Sequence, residues 1–273
     1  MKRIGLIAGS GQFPLIFCKA AKARGYTVYA LGFIKEASPG LDRYVETMEW
    51  AHLGQLKKLI KFFKKNQVHE AVMLGAITKT RMFTDVKPDL KAIALVAGMR
   101  HTHDDGILSA FADTLEKEGI SIRPSTFLVP DLLAQEGCWT RRKPSGSERA
   151  DIEVGWEMAK AIGRLDIGQC VVVKGGSVVA VEAIDGTDAT IRRGGTLADG
   201  GAVVVKVCKP TQDTRFDMPA VGTETIAVMA EAGVSALALE AGRAVVFEKK
   251  EMIAHANRHG IAIVALSSDD IRQ

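Results

Sequence analysis

Residues 209 to 222 read Lys-Pro-Thr-Gln-Asp-Thr-Arg-Phe-Asp-Met-Pro-Ala-Val-Gly, which sets Lys209, Asp213, Arg215 and Asp217 within nine positions. Cations in such a stretch can clamp phosphate oxygens, while carboxylates can hold a divalent metal or activate water. Neither task alone needs both signs of charge. A solvated loop with local ion pairs is the other reading, since most surface pairs contribute little.

Further groups of the same kind lie elsewhere. In Glu182-Ala-Ile-Asp-Gly-Thr-Asp188-Ala-Thr-Ile-Arg192, Thr187 can cap a short helix whose first turn carries Asp188, with Arg192 on the same face. An ordinary capped helix with a helpful ion pair would read the same way. Gly9, Ser10, Gly11 and Gln12 follow a short apolar strand and open a helix, which makes an anion site from backbone N–H groups and the helix dipole. A third glycine and a Lys-Ser or Lys-Thr pair are missing, so neither a dinucleotide fingerprint nor a phosphate-binding loop is read there. Thr78, Lys79, Thr80 and Arg81 place hydroxyls and cations after a later strand. His101, His103, Asp104 and Asp105 resemble a metal run, although Asp104 also suits a helix cap and the aspartates rank above the histidines.

The elements that must position these residues alternate in the first half: strand 3–8, helix 12–24, strand 27–33, helix 53–66, strand 68–75, helices 89–98 and 104–119, strand 120–123. Such alternation predicts a Rossmann-like parallel sheet covered on both faces, with ligands beyond the carboxyl ends of the strands. A polar, basic, Gly/Pro-rich stretch near 140–150 marks a boundary. Beyond it, helix 148–163, strands 169–174, 177–184, 202–208, 236–239 and 244–247, and helices 187–193, 222–233 and 249–259 predict a mixed sheet. The fold class is therefore α/β: an N-terminal Rossmann-like parallel-sheet domain over 1–130, a linker over 131–147, and a C-terminal α/β mixed-sheet domain over 148–273.

A chain of 273 residues with 47% hydrophobic and 25% charged residues is an ordinary globular protein of two domains. A net charge of +4 argues against a dedicated nucleic-acid binder and suits an acidic small ligand or an anionic membrane surface. Cys18, Cys138, Cys170 and Cys208 are too scattered for a zinc ribbon or a disulfide framework. Without a signal peptide or an apolar run of membrane-spanning length, a cytoplasmic location is expected.

The segments GLIAGSGQFP at the start, AIGRLDIGQ (161–169), VVAVEAIDGTDATIRR (178–193) and KPTQDTRFDMPAVG (209–222) together resemble the LpxI-type UDP-2,3-diacylglucosamine pyrophosphatases of Gram-negative lipid A synthesis. The resemblance implies a hydrolase dependent on Mg2+, with Mn2+ as the alternative ion. It would split UDP-2,3-diacylglucosamine into UMP and 2,3-diacylglucosamine 1-phosphate, with the lipid held between two domains. It assigns catalysis to Asp217 with Asp213, and metal contact to Asp217, Asp213 and Asp188. Substrate contacts pass to Gly9, Ser10, Gly11, Gln12, Thr78, Lys79, Asp105, Thr187, Asp188, Arg192, Lys209, Gln212 and Arg215.

The implied partners are a lipid-linked nucleotide sugar and inner-membrane lipid met peripherally on the cytoplasmic face, with no nucleic acid; a homodimer is a further expectation. Acyl chains need apolar walls, for which Ile93, Leu95, Val96 and Met99, and Ile226, Met229 and Ala230, are candidates, although core packing explains the same residues. The basic amphipathic stretch Leu56–Lys65 is a candidate for contact with anionic lipid. A nicotinamide oxidoreductase is disfavoured by Gly32-Phe33 where an acidic residue would be required. A non-catalytic nucleotide or nucleotide-sugar binding protein is the alternative function.

Overall fold

The computed structural model describes residues 2–77, 86–97, 104–210, 212–216 and 218–271. The chain sorts into two units, Met1–Pro130 with Asp213–Asp217, and Asp131–Gln212 with Met218–Gln273.

In the first unit, strands β1 (Lys2–Ala8), β2 (Tyr26–Phe33), β3 (Thr47–Ala51), β4 (Glu70–Leu74) and β5 (Ser121–Ile122) form one parallel sheet in the order β3-β2-β1-β4-β5. Ile4 to Ala8 are buried without alternation, as a central parallel strand covered on both faces requires. Helix α1 (Phe13–Ala23) sets Phe17, Cys18 and Ala21 against Ile4, Leu6 and Ala8 on one face. On the other, α2 (Leu56–Lys65) packs Leu59, Phe62 and Phe63 with Ile7 and with Leu115 of α4 (Asp104–Lys117). Gly5 permits that approach, because a Cβ there would lie 2.8 Å from the Phe63 ring. The short helix α3 (Leu90–Ala97) lies between β4 and α4 in the chain.

This packing corrects one expectation. The apolar stripe of the basic helix, Leu56, Leu59, Ile60, Phe62 and Phe63, is buried in the core, so it offers no face to lipid. Strand β3 was not among the predicted strands; its mixture of exposed and half-buried positions hides the usual period.

The second unit holds a six-stranded mixed sheet, in the order β6 (Gly137–Cys138), β13 (Ala262–Leu266), β11 (Ala236–Glu240), β9 (Val203–Lys206), β7 (Cys170–Lys174), β8 (Ser177–Val181). The β13-β11-β9 core is parallel, whereas β6, β7 and β8 join antiparallel. Helix α5 (Gly146–Arg164) covers one face through Ile152, Trp156 and Ala159. The opposite face packs Ile191 of α6 (Thr187–Ala198), Ile226 and Met229 of α7 (Thr223–Glu231), and Met252 of α8 (Lys249–Arg258). Ile226 and Met229 are thus core rather than walls for acyl chains. The predicted strand at 244–247 shrinks to β12 (Val245–Val246), which pairs only with β10 (Ala220–Val221) among the described strands. Residues 131–147, expected as a linker, include strand β6 of this sheet.

Candidate active site

In the parallel sheet of the first unit, the strand order reverses at β1 and β4, so the turns after these two strands flank its topological switch point. Ser10 and Ala76 bridge them: Ser10 N donates to Ala76 O at 2.8 Å, Ala76 N to Ser10 O at 3.1 Å, and Ser10 Oγ to Ala76 O at 2.8 Å. A Cβ on Gly9 would lie 2.5 Å from Ala76 O, and one on Gly75 would lie 2.5 Å from Ser10 O, so both glycines are demanded by contact. Ser10 was expected to meet an anion, but its hydroxyl and amide are engaged by this bridge. The N–H groups of Gly11 and Gln12 have no partner among the described residues and keep donor capacity at the start of α1.

Asp213 and Arg215 come from the far end of the sequence yet belong to this first unit. Thr214 O accepts from Ser125 N at 3.5 Å and Ser125 Oγ at 3.3 Å, just past β5 and on the carboxyl edge of the sheet. Phe216 packs against the cluster that contains Ile7 and Phe63. Arg215 Nη2 lies 2.6 Å from Asp213 Oδ2 and its Nε reaches both oxygens. Burial pushes the Asp213 pKa up, but hydrogen bonds from the Arg215 side chain and backbone outweigh it and hold the carboxyl below its ordinary range. The same bond raises the pKa of Arg215.

The second unit builds a different cluster. Gly186, at a φ of 82°, is the N-cap of α6, so Thr187 opens the helix and is not its cap as expected. Thr187 Oγ1 donates to the buried Glu182 Oε1 at 2.7 Å and accepts from Lys206 Nζ at 3.0 Å. Lys206, at the end of β9, also donates to Ala220 O at 3.0 Å. Asp185, Gly186, Thr187, Asp188, Lys206, Ala220 and Thr225 line a hollow of about 330 Å³. Asp188 is exposed and forms no ion pair among the described residues; Arg192, expected beside it, lies 3.7 Å from Glu231 of α7. Lys206 was not anticipated, and a lysine inside the apolar run 202–208 was its signal.

Both halves of the chain match one family. The model described as the LpxI N-terminal domain covers residues 3–132, and that of the LpxI C-terminal domain covers residues 135–264. The chain belongs to the LpxI family. It is 31% identical to the UDP-2,3-diacylglucosamine pyrophosphatase LpxI of Caulobacter vibrioides over 281 residues, 99% of each chain. Among solved structures, a biotin carboxylase domain of a single-chain bacterial carboxylase superposes with a TM-score of 0.28 at 15% identity, covering 49% of this chain and 26% of that one. The N5-carboxyaminoimidazole synthetase of Staphylococcus aureus gives 0.26 at 16% identity, covering 74% of this chain and 46% of that one. At such superpositions these structures carry no argument about this LpxI family member.

The remaining expected residues of the LpxI motifs divide in two. Lys209 Nζ is 2.5 Å from Asp166 Oδ1, while the buried Gln212 accepts from Lys209 N at 3.0 Å and from Cys208 Sγ at 3.2 Å, closing the turn after β9. Thr78, Lys79 and Asp217 lie outside the described residues, as does the side chain of Asp105 in α4. Thr187 and Asp188 belong to the second unit, and Gly9–Gln12, Asp213 and Arg215 to the first.

The described residues do not fit a metal cage. No group of three His, Cys, Asp or Glu side chains among them is placed to hold an ion, and both oxygens of Asp213 face Arg215. Cys18, Cys170 and Cys208 are buried, and burial pushes the thiols of Cys18 and Cys170 up to about 12, which suits packing rather than thiolate chemistry.

Proposed function

We propose that this LpxI family member hydrolyses the diphosphate of UDP-2,3-diacylglucosamine, releasing UMP and 2,3-diacylglucosamine 1-phosphate for lipid A synthesis. The observation that carries the reading is 31% identity over 99% of both chains to a protein of that activity. In the reaction a water oxygen bonds to one phosphorus, the bond from that phosphorus to the bridging oxygen breaks, and the water's protons go to the phosphate products and solvent.

Within this reading the chain's own groups have separate tasks. Arg215 keeps its Nη1 donors unpaired among the described residues and can meet phosphoryl oxygens, where developing charge is stabilised by a preset donor. Asp213 acts through Arg215 as a positioning residue. Asp217 takes the catalytic role that the resemblance assigns. Asp188 offers an acceptor to substrate hydroxyls. Dependence on Mg2+ or Mn2+ is part of the proposal on the strength of the resemblance alone, and no step here is routed through a cation.

The acyl chains of the substrate favour peripheral contact with the cytoplasmic face of the inner membrane, since no helix among the described residues is long and apolar enough to cross one. Among the described residues, Ile93, half-exposed on α3, is an expected wall residue available for such contact, while the side chain of Val96 and all of Met99 lie outside the described residues. A homodimer remains part of the same proposal.

The test is incubation of the purified protein with UDP-2,3-diacylglucosamine, with products read by mass spectrometry. Release of UMP and the sugar 1-phosphate, abolished in a folded Asp217→Ala variant that still retains substrate, is expected. Substrate retention without turnover by the wild type would instead identify a nucleotide-sugar binding protein.

A further inference from the structure

We infer that the outward face of α3, together with the lysines that border it on α2, is the surface through which the first unit docks on a bilayer of anionic phospholipid. The inference deepens the peripheral contact proposed above and rests on that reading only for which membrane is met. The affinity for anionic lipid stands on the residues themselves.

Helix α3 is apolar on both sides, and Lys91 is its only charged residue. Ala92 and Leu95 pack with the core cluster of Leu59 and Phe63. Leu90, Ile93, Ala94 and Ala97 are all exposed, at the i, i+3, i+4, i+7 spacing of a single helical face, and Leu90 is 83% exposed. Val86, just before the helix, is exposed as well. Scattered exposed leucines are ordinary, whereas a whole helix face of apolar residues marks a contact surface. The face is also held in place. Asp89 accepts from Ala92 N at 3.0 Å and from Lys57 N at 2.6 Å, and Lys87 N donates to Leu53 O at 2.8 Å, so the start of α3 is tied to the start of α2.

Charge says what covers this face. With the apolar stripe of α2 spent on the core, that helix contributes its lysines alone. Lys57, Lys61 and Lys64 have helical spacing on the flank of α2 beside α3, where Lys57 N meets Asp89 and Lys64 shares Glu118 with Lys91. Lys57, Lys61 and Lys87 are exposed and form no ion pair among the described residues. Both oxygens of Asp89 are taken by backbone amides, and Glu118 is taken by two lysines, so the border keeps a cationic excess. An apolar row edged by lysines matches the boundary beneath anionic headgroups, where Leu90 and Ile93 enter and the ammonium groups reach phosphate. A nucleic acid would satisfy the lysines and leave the apolar row in water.

The test is co-sedimentation of the full chain with vesicles of phosphatidylcholine, alone or mixed with an equal share of phosphatidylglycerol, at low and high salt. The wild type is expected on the mixed vesicles at low salt, with partition falling as salt rises. Leu90→Asp should weaken that partition by roughly tenfold or more, and Lys57→Glu combined with Lys61→Glu should do the same while flattening the salt dependence. Lys22→Glu combined with Arg24→Glu makes an equal charge change at the end of α1, on the other face of the sheet, and should leave partition within about twofold of the wild type. Every substituted residue is exposed, so each variant is expected to fold, and circular dichroism checks that it does.

The inference is overturned if the wild type stays off the mixed vesicles, if Leu90→Asp partitions as the wild type does, or if the two charge reversals weaken partition equally. A dimer that Leu90→Asp breaks in sedimentation velocity, without vesicle binding, would give the face to a second copy of the chain instead. Vesicle binding without hydrolysis of UDP-2,3-diacylglucosamine would sink the functional reading and leave the docking surface standing.

Discussion

Asp213 engages Arg215 through both carboxylate oxygens, with Nε 3.0 and 2.9 Å from the two and Arg215 N a further 3.0 Å from Oδ1. A fork of this kind fixes the guanidinium plane, which a single point charge cannot do. Asp213→Asn is therefore expected to lower kcat by roughly tenfold, and Arg215→Lys by a similar factor, because an ammonium cannot reproduce the two-point contact. The double variant should lose little more than either single one, since both act on one group. Steady-state kinetics on all three decides it, and wild-type turnover in Asp213→Asn would end the positioning role.

Phe216 anchors the same segment. Its ring packs against the first unit's core and lies 5.1 Å from the Arg215 guanidinium carbon. Phe216→Ala removes that anchor and the cation–π contact together. A loss of about 1–3 kcal/mol of stability is expected, less than for a fully buried ring because this one is only partly buried. Turnover should fall further than the folded fraction does. Urea unfolding beside single-turnover kinetics separates the two, and a fall in stability with unchanged rate per folded molecule would show that the anchor does not set the geometry of Arg215.

Much of this architecture was legible in the sequence. Strand and helix alternation specified the parallel sheet, and the mixed sheet followed from β7, β8, β9 and β11. Strand β13 was missed although Ala262 to Ala265 form a buried run between Gly260 and Ser267, because a short apolar run does not by itself declare its state. The site was harder for a physical reason. A charged cluster in sequence does not say which charges will meet: Lys209 pairs with Asp166, and Arg192 with Glu231, each through tertiary placement. Asp188 and Arg192 have helical spacing, yet a rival acid on a neighbouring helix takes the cation. Lys206 acquires its role from Thr187 and Ala220, 19 and 14 positions away, which no local pattern records.

The bridge at the switch point makes a steric prediction. Gly75 has a φ of 94°, and a Cβ there would meet the Ser10 carbonyl oxygen at 2.5 Å. Gly75→Ala is expected to destabilise the first unit by about 1–3 kcal/mol from backbone strain alone, with the clash added. Gly9→Ala should also destabilise, for its Cβ would meet Ala76 O at 2.5 Å without any unusual φ. Thermal unfolding of both checks this, with Gly11→Ala as the contrast: Gly11 has a φ of 91° but nothing within 4 Å, so it should carry strain without a clash and lose least relative to Gly75→Ala.

Glu148 gives the second unit a predictable response to acid. It accepts from Arg142 Nη1 at 2.7 Å and Nη2 at 2.9 Å, from Ser235 Oγ at 2.6 Å and from Ser145 N at 2.7 Å, the last as part of the capping box that starts α5. Burial pushes its pKa up, but these bonds outweigh it and bring the carboxyl down from 4.5 to about 2. Because the folded-state value lies below the unfolded one, the stabilisation is complete above about pH 4.5 and is lost as pH falls toward 2. Glu148→Gln should therefore be less stable than the wild type at neutral pH by roughly 2 kcal/mol, allowing for the partial exposure of Arg142. The gap should close on acidification, since protonation removes from the wild type what the substitution has already removed. Parallel chemical-denaturation curves across that range measure the gap directly, and one that stayed constant with pH would show that the carboxylate's charge contributes nothing to holding α5 in place.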